Sequence, residues 1–162
     1  MKEINVYVEI CREEIELPIY AKLGDAGMDI KAAEDILISP LETKIIPIGL
    51  KIAIPEGYEV QIRPRSGMSF KTPLRVSNSP GTIDSGYRDE VGVIITNTSV
   101  LDLGTYDIDT KGNKQGYYQI RKGDRIAQLV LNEIPKIKFI ITDDVSKIGF
   151  NRNGGFGSSG TK

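Results

Sequence analysis

Residues 44–63 read KIIPIGLKIAIPEGYEVQIR, and this stretch decides the predicted fold. Branched apolar residues dominate it up to Ile54, the turn sequence Pro55-Glu56-Gly57 follows, and residues 58–63 alternate apolar with polar side chains. Such a pattern is typical of β-strands joined by a tight turn. The chain has no long stretch with the 3.6-residue period of an amphipathic helix, so we expect few helices.

Similar patterns recur on both sides of this stretch. Strands are predicted for residues 4–10, 44–54, 58–63, 91–97, 126–134 and 137–142, turns for residues 111–113 and 122–124, and a short helix for Ser66–Lys71. Many short strands separated by turns indicate an all-β jelly roll or distorted β-barrel. Residues 1–150 form one predicted domain. Within it, the polar stretch 98–119 is expected to be a hairpin or an excursion between two core strands.

Residues 151–162 consist mostly of Gly, Ser and Asn around Phe156. They offer too little apolar surface to pack, so we expect a flexible arm. Residues 155–160 match G-x-G-x-x-G, but too little chain follows for a helix, which excludes the dinucleotide-binding motif. Glycine N–H groups, serine hydroxyls and Arg152 still suit a phosphate, and Phe156 suits stacking on a base. An inert tail is the alternative.

Composition excludes several classes of chemistry. With 21 Lys plus Arg against 22 Asp plus Glu, the chain is not suited to stable binding of nucleic acid. The absence of histidine excludes a Ser-His triad and a histidine zinc centre. A single cysteine, Cys11, excludes a cysteine-rich metal site and an internal disulfide. A metal that takes part is therefore expected to be an oxygen-bound ion such as Mg²⁺.

No secretory signal or apolar segment of membrane-spanning length is visible in the sequence. The protein is therefore expected in the cytoplasm, without a membrane partner.

Three segments carry residues suited to phosphate or metal. Residues 63–69 place Arg65 and Ser66 at a predicted helix start. The Arg65 side chain, the Ser66 hydroxyl and the free N–H groups of a helix start can together bind an anion. The alternative is a turn that Ser66 caps. Asp29 stands directly before a predicted strand, where its carboxylate suits metal-bound water, although most such residues cap turns. Gln128 is a neutral amide in an apolar strand, so it needs a ligand or a backbone partner.

The segment richest in candidate groups is residues 78–88. A hairpin there leaves backbone donors and acceptors open along one edge, able to pair with the edge of a base. Asp84 is a candidate general base, and Tyr87 offers a flat face for a sugar. The alternative is structural, because an Asp among turn residues more often stabilises the turn.

Taken in order, these five segments resemble the five motifs of the trimeric dUTP diphosphatases (dUTPases), across about residues 26–160. The resemblance implies an all-β jelly-roll homotrimer with three active sites between subunits, each completed by a partner's C-terminal arm. It also implies hydrolysis of dUTP to dUMP and pyrophosphate by attack of water on the α-phosphorus, with Mg²⁺ on the triphosphate. Such a reaction limits uracil in DNA and supplies dUMP for dTMP synthesis.

The resemblance further implies a role for individual residues. Asp84 activates the attacking water, and Asp29 orients Mg²⁺ through a water molecule. The expected substrate contacts are Arg65, Ser66, Gly67, Gln128 and Arg152 to phosphates, Asn78, Gly81, Thr82 and Ile83 to uracil, Tyr87 to the deoxyribose, and Phe156, Gly157 and Ser158 from the arm.

Three features depart from the family pattern. Gly86 and Asp89 stand where the third motif usually has Asp and Gly. Arg152 stands one position closer to Phe156 than in the commonest spacing, and the stretch 98–119 is longer than usual. None of these departures removes a residue assigned to chemistry.

Two other functions stay open. Deamination of dCTP, the activity of a related branch, fits the sequence Asp84-Ser85-Gly86-Tyr87, but residues 91–95 lack the carboxylate that this branch needs. Zinc-dependent deamination is excluded by the missing histidine and cysteine ligands. A nucleotide-switched regulatory protein on the same fold is the other alternative, with residues 98–119 as its expected partner surface.

Overall fold

The computed structural model describes residues 2–152 and 154, and short β-strands make up most of its regular structure. In chain order the elements are β1 (Tyr7–Ile10), β2 (Met28–Lys31), β3 (Ile36–Ile38), β4 (Thr43–Pro47), β5 (Leu50–Ala53), β6 (Tyr58–Pro64), α1 (Ser66–Lys71), β7 (Leu74–Val76), β8 (Gly81–Ile83), β9 (Gly92–Asn97), β10 (Thr105–Asp107), β11 (Tyr117–Ile120), β12 (Arg125–Glu133) and a 3₁₀ turn (Val145–Lys147). Within this range no helix has the length and apolar character needed to cross a membrane.

The strands form four small sheets around one core. The largest has the order β2-β12-β6-β8, and the others have the orders β4-β9-β7, β10-β11-β3 and β1-β5. Inward-facing branched side chains fill the core, among them Ile38, Ile46, Leu74, Val93, Ile95 and Ile126. This arrangement is the predicted all-β jelly roll, and burial of these side chains supplies the main stabilisation.

The pairing of β12 with β6 is the longest among the described residues and sets the position of its neighbours. On one side β12 pairs with β2, so that Gln128 lies opposite Asp29. On the other side β6 pairs with β8, so that Ile62 lies opposite Gly81. Since Gln128 also lies opposite Arg63 of β6, polar residues from three strands line up across the sheet.

Several sequence predictions are confirmed. The helix has the predicted bounds, and left-handed glycines make two of the predicted turns, Gly57 with φ of +86° and Gly123 with φ of +90°. The predicted strand 44–54 is divided into β4 and β5 at Gly49, which has φ of +75°. A Cβ atom at this glycine would lie 2.5 Å from Cγ1 of Ile15, so the break also lets the N-terminal segment approach closely.

The predicted strand 137–142 is wrong. This segment has no strand assignment, and its side chains are exposed, with Ile137 at 79% and Ile141 at 98%. Alternation gives the segment a preference for extended backbone, but a strand also needs a hydrogen-bonded neighbour. No other strand of the described residues pairs with it.

The stretch 98–119 is an excursion and not a hairpin. Its strand β10 pairs parallel with β11, and β11 pairs antiparallel with β3. A hairpin requires antiparallel neighbours, so the chain must cross over between β10 and β11. The excursion also reaches α1, because the backbone N–H of Asn113 donates to the carbonyl of Lys71 at 2.8 Å.

Asn97, at the end of β9, joins this excursion to the core. Its side chain is fully buried, and Nδ2 donates to the carbonyls of Ile38 at 3.1 Å and Gly116 at 2.8 Å. Its Oδ1 accepts a hydrogen bond from the N–H of Ser99 at 3.0 Å. One buried amide therefore satisfies three backbone groups from separate parts of the chain.

We expect Asn97→Ala to lower the free energy of unfolding by roughly 3 kcal/mol, because each buried polar group left unpaired costs about 1–3 kcal/mol. Urea denaturation at fixed protein concentration measures the change. The matched control is Asn132→Ala, since the Asn132 side chain makes one long hydrogen bond of 3.4 Å to Val130. Equal effects of the two substitutions would contradict the role given to Asn97.

Candidate active site

A cluster of charged and polar side chains surrounds Asp29. This residue lies within β2, not before it as predicted, and its carboxylate is half-buried. Oδ1 accepts hydrogen bonds from Nε of Arg65 at 3.0 Å and from Nε2 of Gln128 at 3.1 Å. Oδ2 accepts one from Nη1 of Arg125 at 3.3 Å. The Gln128 amide thus has a carboxylate partner from the neighbouring strand.

The surroundings of Asp29 favour its charged form. Burial by itself raises the pKa of the Asp29 carboxyl, but hydrogen bonds from Arg65 and Gln128 and the charges of Arg65 and Arg125 lower the pKa below its ordinary value. Two guanidinium groups face one carboxylate, so the cluster keeps an excess of positive charge at neutral pH. Such an excess suits a polyanion.

The start of α1 adjoins this cluster. Arg65 occupies the N-cap position with extended backbone, and no side chain caps the helix. The alternative in which Ser66 caps the turn is therefore wrong, because Ser66 is already the first helical residue. Ser66 and Gly67 are exposed, and a Cβ atom on Gly67 would meet no atom within 4 Å. N–H groups of a first helical turn have no partner within the helix, so open space here can accept an anion.

A cavity of about 380 Å³ extends from the same cluster. Asp29, Arg125 and Gln128 are among the residues that line it. The lining also includes residues of the N-terminal segment, among them Glu16, Leu17 and Ile19. The cavity therefore combines charged groups of both signs with apolar side chains.

A second, smaller pocket of about 140 Å³ lies beside β8. Its lining includes Asn78, Gly81, Thr82, Ile83 and Tyr87. A Cβ atom on Gly81 would lie 3.1 Å from Nδ2 of Asn78, so the glycine lets this amide approach the strand. The segment 78–88 is not the predicted hairpin, because β8 pairs with β6 while β7 pairs with β9. As the last strand of its sheet, β8 has one edge that pairs with no other strand of the described residues.

Asp84 and Tyr87 follow β8 in an exposed loop. The N–H of Tyr87 donates to the carbonyl of Asp84 at 3.1 Å, which closes a turn between them. The Tyr87 hydroxyl donates to the carbonyl of Glu90 at 2.9 Å. Asp84 therefore lies on the same loop as Tyr87, directly after Ile83, and both of these neighbours line the small pocket.

The predicted site residues fall into two groups. Asp29, Arg65 and Gln128 meet in the first group, whereas Asn78, Gly81, Thr82, Ile83 and Tyr87 line the small pocket. The two pockets share no lining residue, and β12 and β6 separate β2 from β8. Three strand spacings amount to roughly 14 Å.

The C-terminal arm contributes little to either group in the described part of the chain. Arg152 is exposed, and its Nε donates to the carbonyl of Gly154 at 3.3 Å. Phe156, Gly157 and Ser158 lie outside the described residues.

Sequence reasoning missed the part played by Arg125. Arg125 and Gln128 are three positions apart, which in a regular strand puts side chains on opposite faces. The pairing of β12 with β2 shifts register between Arg125 and Ala127, and this irregularity lets both side chains reach Asp29. A single sequence carries no clear signal for such a bulge.

The Asp29 carboxylate suits a metal ion that is bound partly by the protein and partly by a ligand. Among residues 2–152 and 154, no group of three or more His, Cys, Asp or Glu side chains is arranged to hold an ion. Mg²⁺ usually keeps several waters and binds one or two carboxylates together with substrate phosphates. The single carboxylate of Asp29, beside a cationic cluster, fits this type of site.

Comparison with known proteins gives a consistent result. The model of the family described as dUTPase matches residues 13–160. The chain is 41% identical to the deoxyuridine 5'-triphosphate nucleotidohydrolase of Fusobacterium nucleatum, over 96% of this chain and 98% of that protein. It is 42% identical to the enzyme of the same name from Wolbachia pipientis, over 99% of both chains.

Two solved structures share the fold. The dUTPase of Staphylococcus bacteriophage 80alpha with dUpNHpp is 33% identical, with a TM-score of 0.85 over 96% of this chain and 98% of that one. It is described among phage dUTPases that control transfer of virulence genes by a G protein-like mechanism. A mutant dUTPase of phage phi11 from S. aureus, which coordinates a structural Mg(II) ion, is 32% identical, with a TM-score of 0.78 over 86% of this chain and 97% of that one.

We expect Arg65→Met to raise the pKa of Asp29 towards its ordinary value, because the substitution removes a hydrogen bond and a charge. Since the folded-state pKa lies below that of the unfolded chain, the pair stabilises the protein at neutral pH. This stabilisation is lost as the pH falls through the folded-state pKa. Carboxyl ¹³C NMR, with Asp29→Asn to assign the signal, measures the pKa.

Arg63→Met serves as the control, because Nε of Arg63 donates to Oε1 of Gln61 and not to Asp29. This substitution is expected to leave the pKa of Asp29 unchanged. An unchanged pKa in the Arg65 variant would show that Arg65 and Asp29 do not form an ion pair in solution.

Proposed function

This chain belongs to the dUTPase family, and we propose how the pocket at Asp29 and the pocket at β8 carry out the hydrolysis of dUTP to dUMP and pyrophosphate. The proposal is supported by the observation that the predicted site residues lie in two separate groups. A cationic cluster around Asp29 suits a triphosphate, and the open edge of β8 suits a base. Asp84 stands on the loop that follows this edge.

The base and sugar bind in the small pocket. The backbone of Gly81, Thr82 and Ile83, together with Asn78, pairs with the edge of uracil. An apolar pocket rejects the extra methyl of thymine by only about 1–3 kcal/mol, so a rigid backbone edge discriminates better. The Tyr87 ring packs against the deoxyribose and leaves no room for a 2′-hydroxyl.

The triphosphate binds across the cluster at Asp29. Arg65 and Gln128 contact phosphate oxygens, and the hydroxyl of Ser66 and the N–H groups of Ser66 and Gly67 complete the cradle. In the free protein both side chains hold Asp29, so the binding groups are already near their working positions. Preorganised donors cost little reorganisation when the substrate arrives.

Asp29 is also the residue that would hold Mg²⁺, through a water molecule, together with oxygens of the triphosphate. When bound, the ion neutralises charge on the phosphates and favours departure of pyrophosphate. The remaining chemistry belongs to Asp84. Its carboxylate takes a proton from a water molecule, which attacks the α-phosphorus in line with the leaving group.

The complete site forms between copies of the chain. The two groups lie in separate pockets of one copy, which supports a site in which the Asp84 loop of one subunit meets the Asp29 cluster of a neighbour. We propose a homotrimer with three such sites, each closed by residues 151–162 of a subunit through Arg152, Phe156, Gly157 and Ser158. In this arrangement residues 1–150 are the β domain and residues 151–162 the arm.

The alternatives receive different support. Deamination of dCTP is not favoured, because β9 begins at Gly92 and its residues 92–97 contain no carboxylate. A second, regulatory role draws support from the likeness to the phage 80alpha protein, with residues 98–119 as the candidate surface. The cytoplasmic location stays a prediction.

We expect Asp84→Asn to retain binding of dUTP and to lose most turnover, because an amide cannot accept the proton of the attacking water. A general base contributes about 10²–10⁴-fold, so kcat is expected to fall within that range. Calorimetry with the non-hydrolysable analogue dUpNHpp measures binding, and release of pyrophosphate from dUTP with Mg²⁺ measures kcat.

Asp89→Asn is the control, because Asp89 lies in the same loop and has no assigned role. Near-normal turnover in the Asp84 variant would remove Asp84 as the base. Loss of activity of equal size in the control would point to the charge of the loop as the cause.

A further inference from the structure

The loop that carries Asp84 and Tyr87 is held at its far end by the N-terminal segment. Nε of Arg12 donates to Oε1 of Glu90 at 2.6 Å, and Nη2 of Arg12 donates to Oε2 at 2.9 Å. Oε1 also accepts the N–H of Gly49 at 2.9 Å. The Glu90 and Arg12 side chains are 26% and 36% exposed. A two-bond pair of this kind fixes orientation as well as distance.

The pair stays charged at neutral pH. The hydrogen bond from Arg12 lowers the pKa of the Glu90 carboxyl, burial opposes this effect, and the bond from Gly49 adds to it, with a net pKa below the ordinary value. Glu90 is thus a fixed carboxylate with defined partners at the junction of the loop and β9.

The backbone next to Glu90 is equally constrained. Val91 is buried, its N–H donates to the carbonyl of Leu50 at 2.9 Å, and its carbonyl accepts the N–H of Ile48 at 3.1 Å. The carbonyl of Glu90 in turn accepts the Tyr87 hydroxyl at 2.9 Å. The position of the Tyr87 ring, which is itself 38% exposed, therefore depends on where Glu90 is held.

We infer that Arg12 is a positioning residue which, through Glu90, holds the Tyr87 ring in the place that discriminates deoxyribose from ribose. The inference rests on the proposed function, in which this ring packs against the sugar. Arg12 acts at a distance from the substrate, and its effect passes through the Glu90 carboxylate and carbonyl. A displacement of about 1 Å at a reacting site can cost as much as 10²-fold in rate, so a loosened ring has a measurable effect.

The test compares dUTP and UTP as substrates of Arg12→Met, which keeps an unbranched apolar side chain and removes the guanidinium. With Mg²⁺ present, the ratio of kcat/KM for dUTP over UTP is expected to fall about tenfold. Both substrates are assayed on the same preparation, so this ratio does not depend on the fraction of folded protein. Arg12→Lys, which retains the charge and one donor group, is expected to restore part of the ratio.

Glu34→Gln is the matched control, because Glu34 accepts a hydrogen bond from Nη1 of Arg12 and leaves the Glu90 pair intact. Its ratio is expected to stay within about twofold of the wild type. An unchanged ratio in Arg12→Met, or an equal fall in the control, would overturn the inference. A wild-type chain that does not cleave dUTP would instead overturn the proposed function.

Discussion

The pairing of β6 with β12 determines where the other two strands of the largest sheet, β2 and β8, lie. It is the longest strand pairing among the described residues, and its two free sides accept β2 and β8. The backbone ladder fixes the register, so a shift by one residue would turn the polar residues of this sheet to the other face. Asp29 and Gln128 thus owe their contact to the same ladder that holds Gly81 on the far edge of the sheet.

Charge balance explains how the cationic cluster exists before any ligand binds. Two guanidinium groups close together repel each other, and the Asp29 carboxylate between them offsets that repulsion. In the proposed reaction the triphosphate takes over part of this neutralising role. The same carboxylate then becomes available to orient Mg²⁺. One side chain would serve stability in the free protein and catalysis in the complex.

Regular features of the fold were predictable from the sequence, because local patterns determine them. Alternating residues indicated β6, a mostly apolar run indicated β12, and the helix at Ser66–Lys71 has its predicted bounds. Errors arose where distant contacts decide the outcome. Residues 137–142 have strand propensity without a paired neighbour, and β8 pairs with β6 instead of forming a hairpin.

In the candidate site, too, residues that stand in a local pattern were predicted, and residues that depend on distant contacts were missed. Arg65 was found because it stands at a predicted helix start, and Gln128 because it is a polar residue in an apolar strand. Arg125 was missed because a bulge turns it towards Asp29. Arg12 was missed because its partner Glu90 lies 78 positions away along the chain. Residues that act through distant partners leave no local signal in a single sequence.

Complementation between two inactive variants distinguishes a site between subunits from a site within one chain, since the proposed site takes Arg65 and Asp84 from different subunits. Arg65→Met and Asp84→Asn chains are refolded together, and dUTP hydrolysis is measured. If the sites lie between subunits, an equal mixture is expected to show about a quarter of wild-type activity per site. Each side of an interface is filled independently, so about one site in four combines an intact Arg65 with an intact Asp84. Activity no higher than that of the separate variants would contradict the shared site and place both residues in one chain's site.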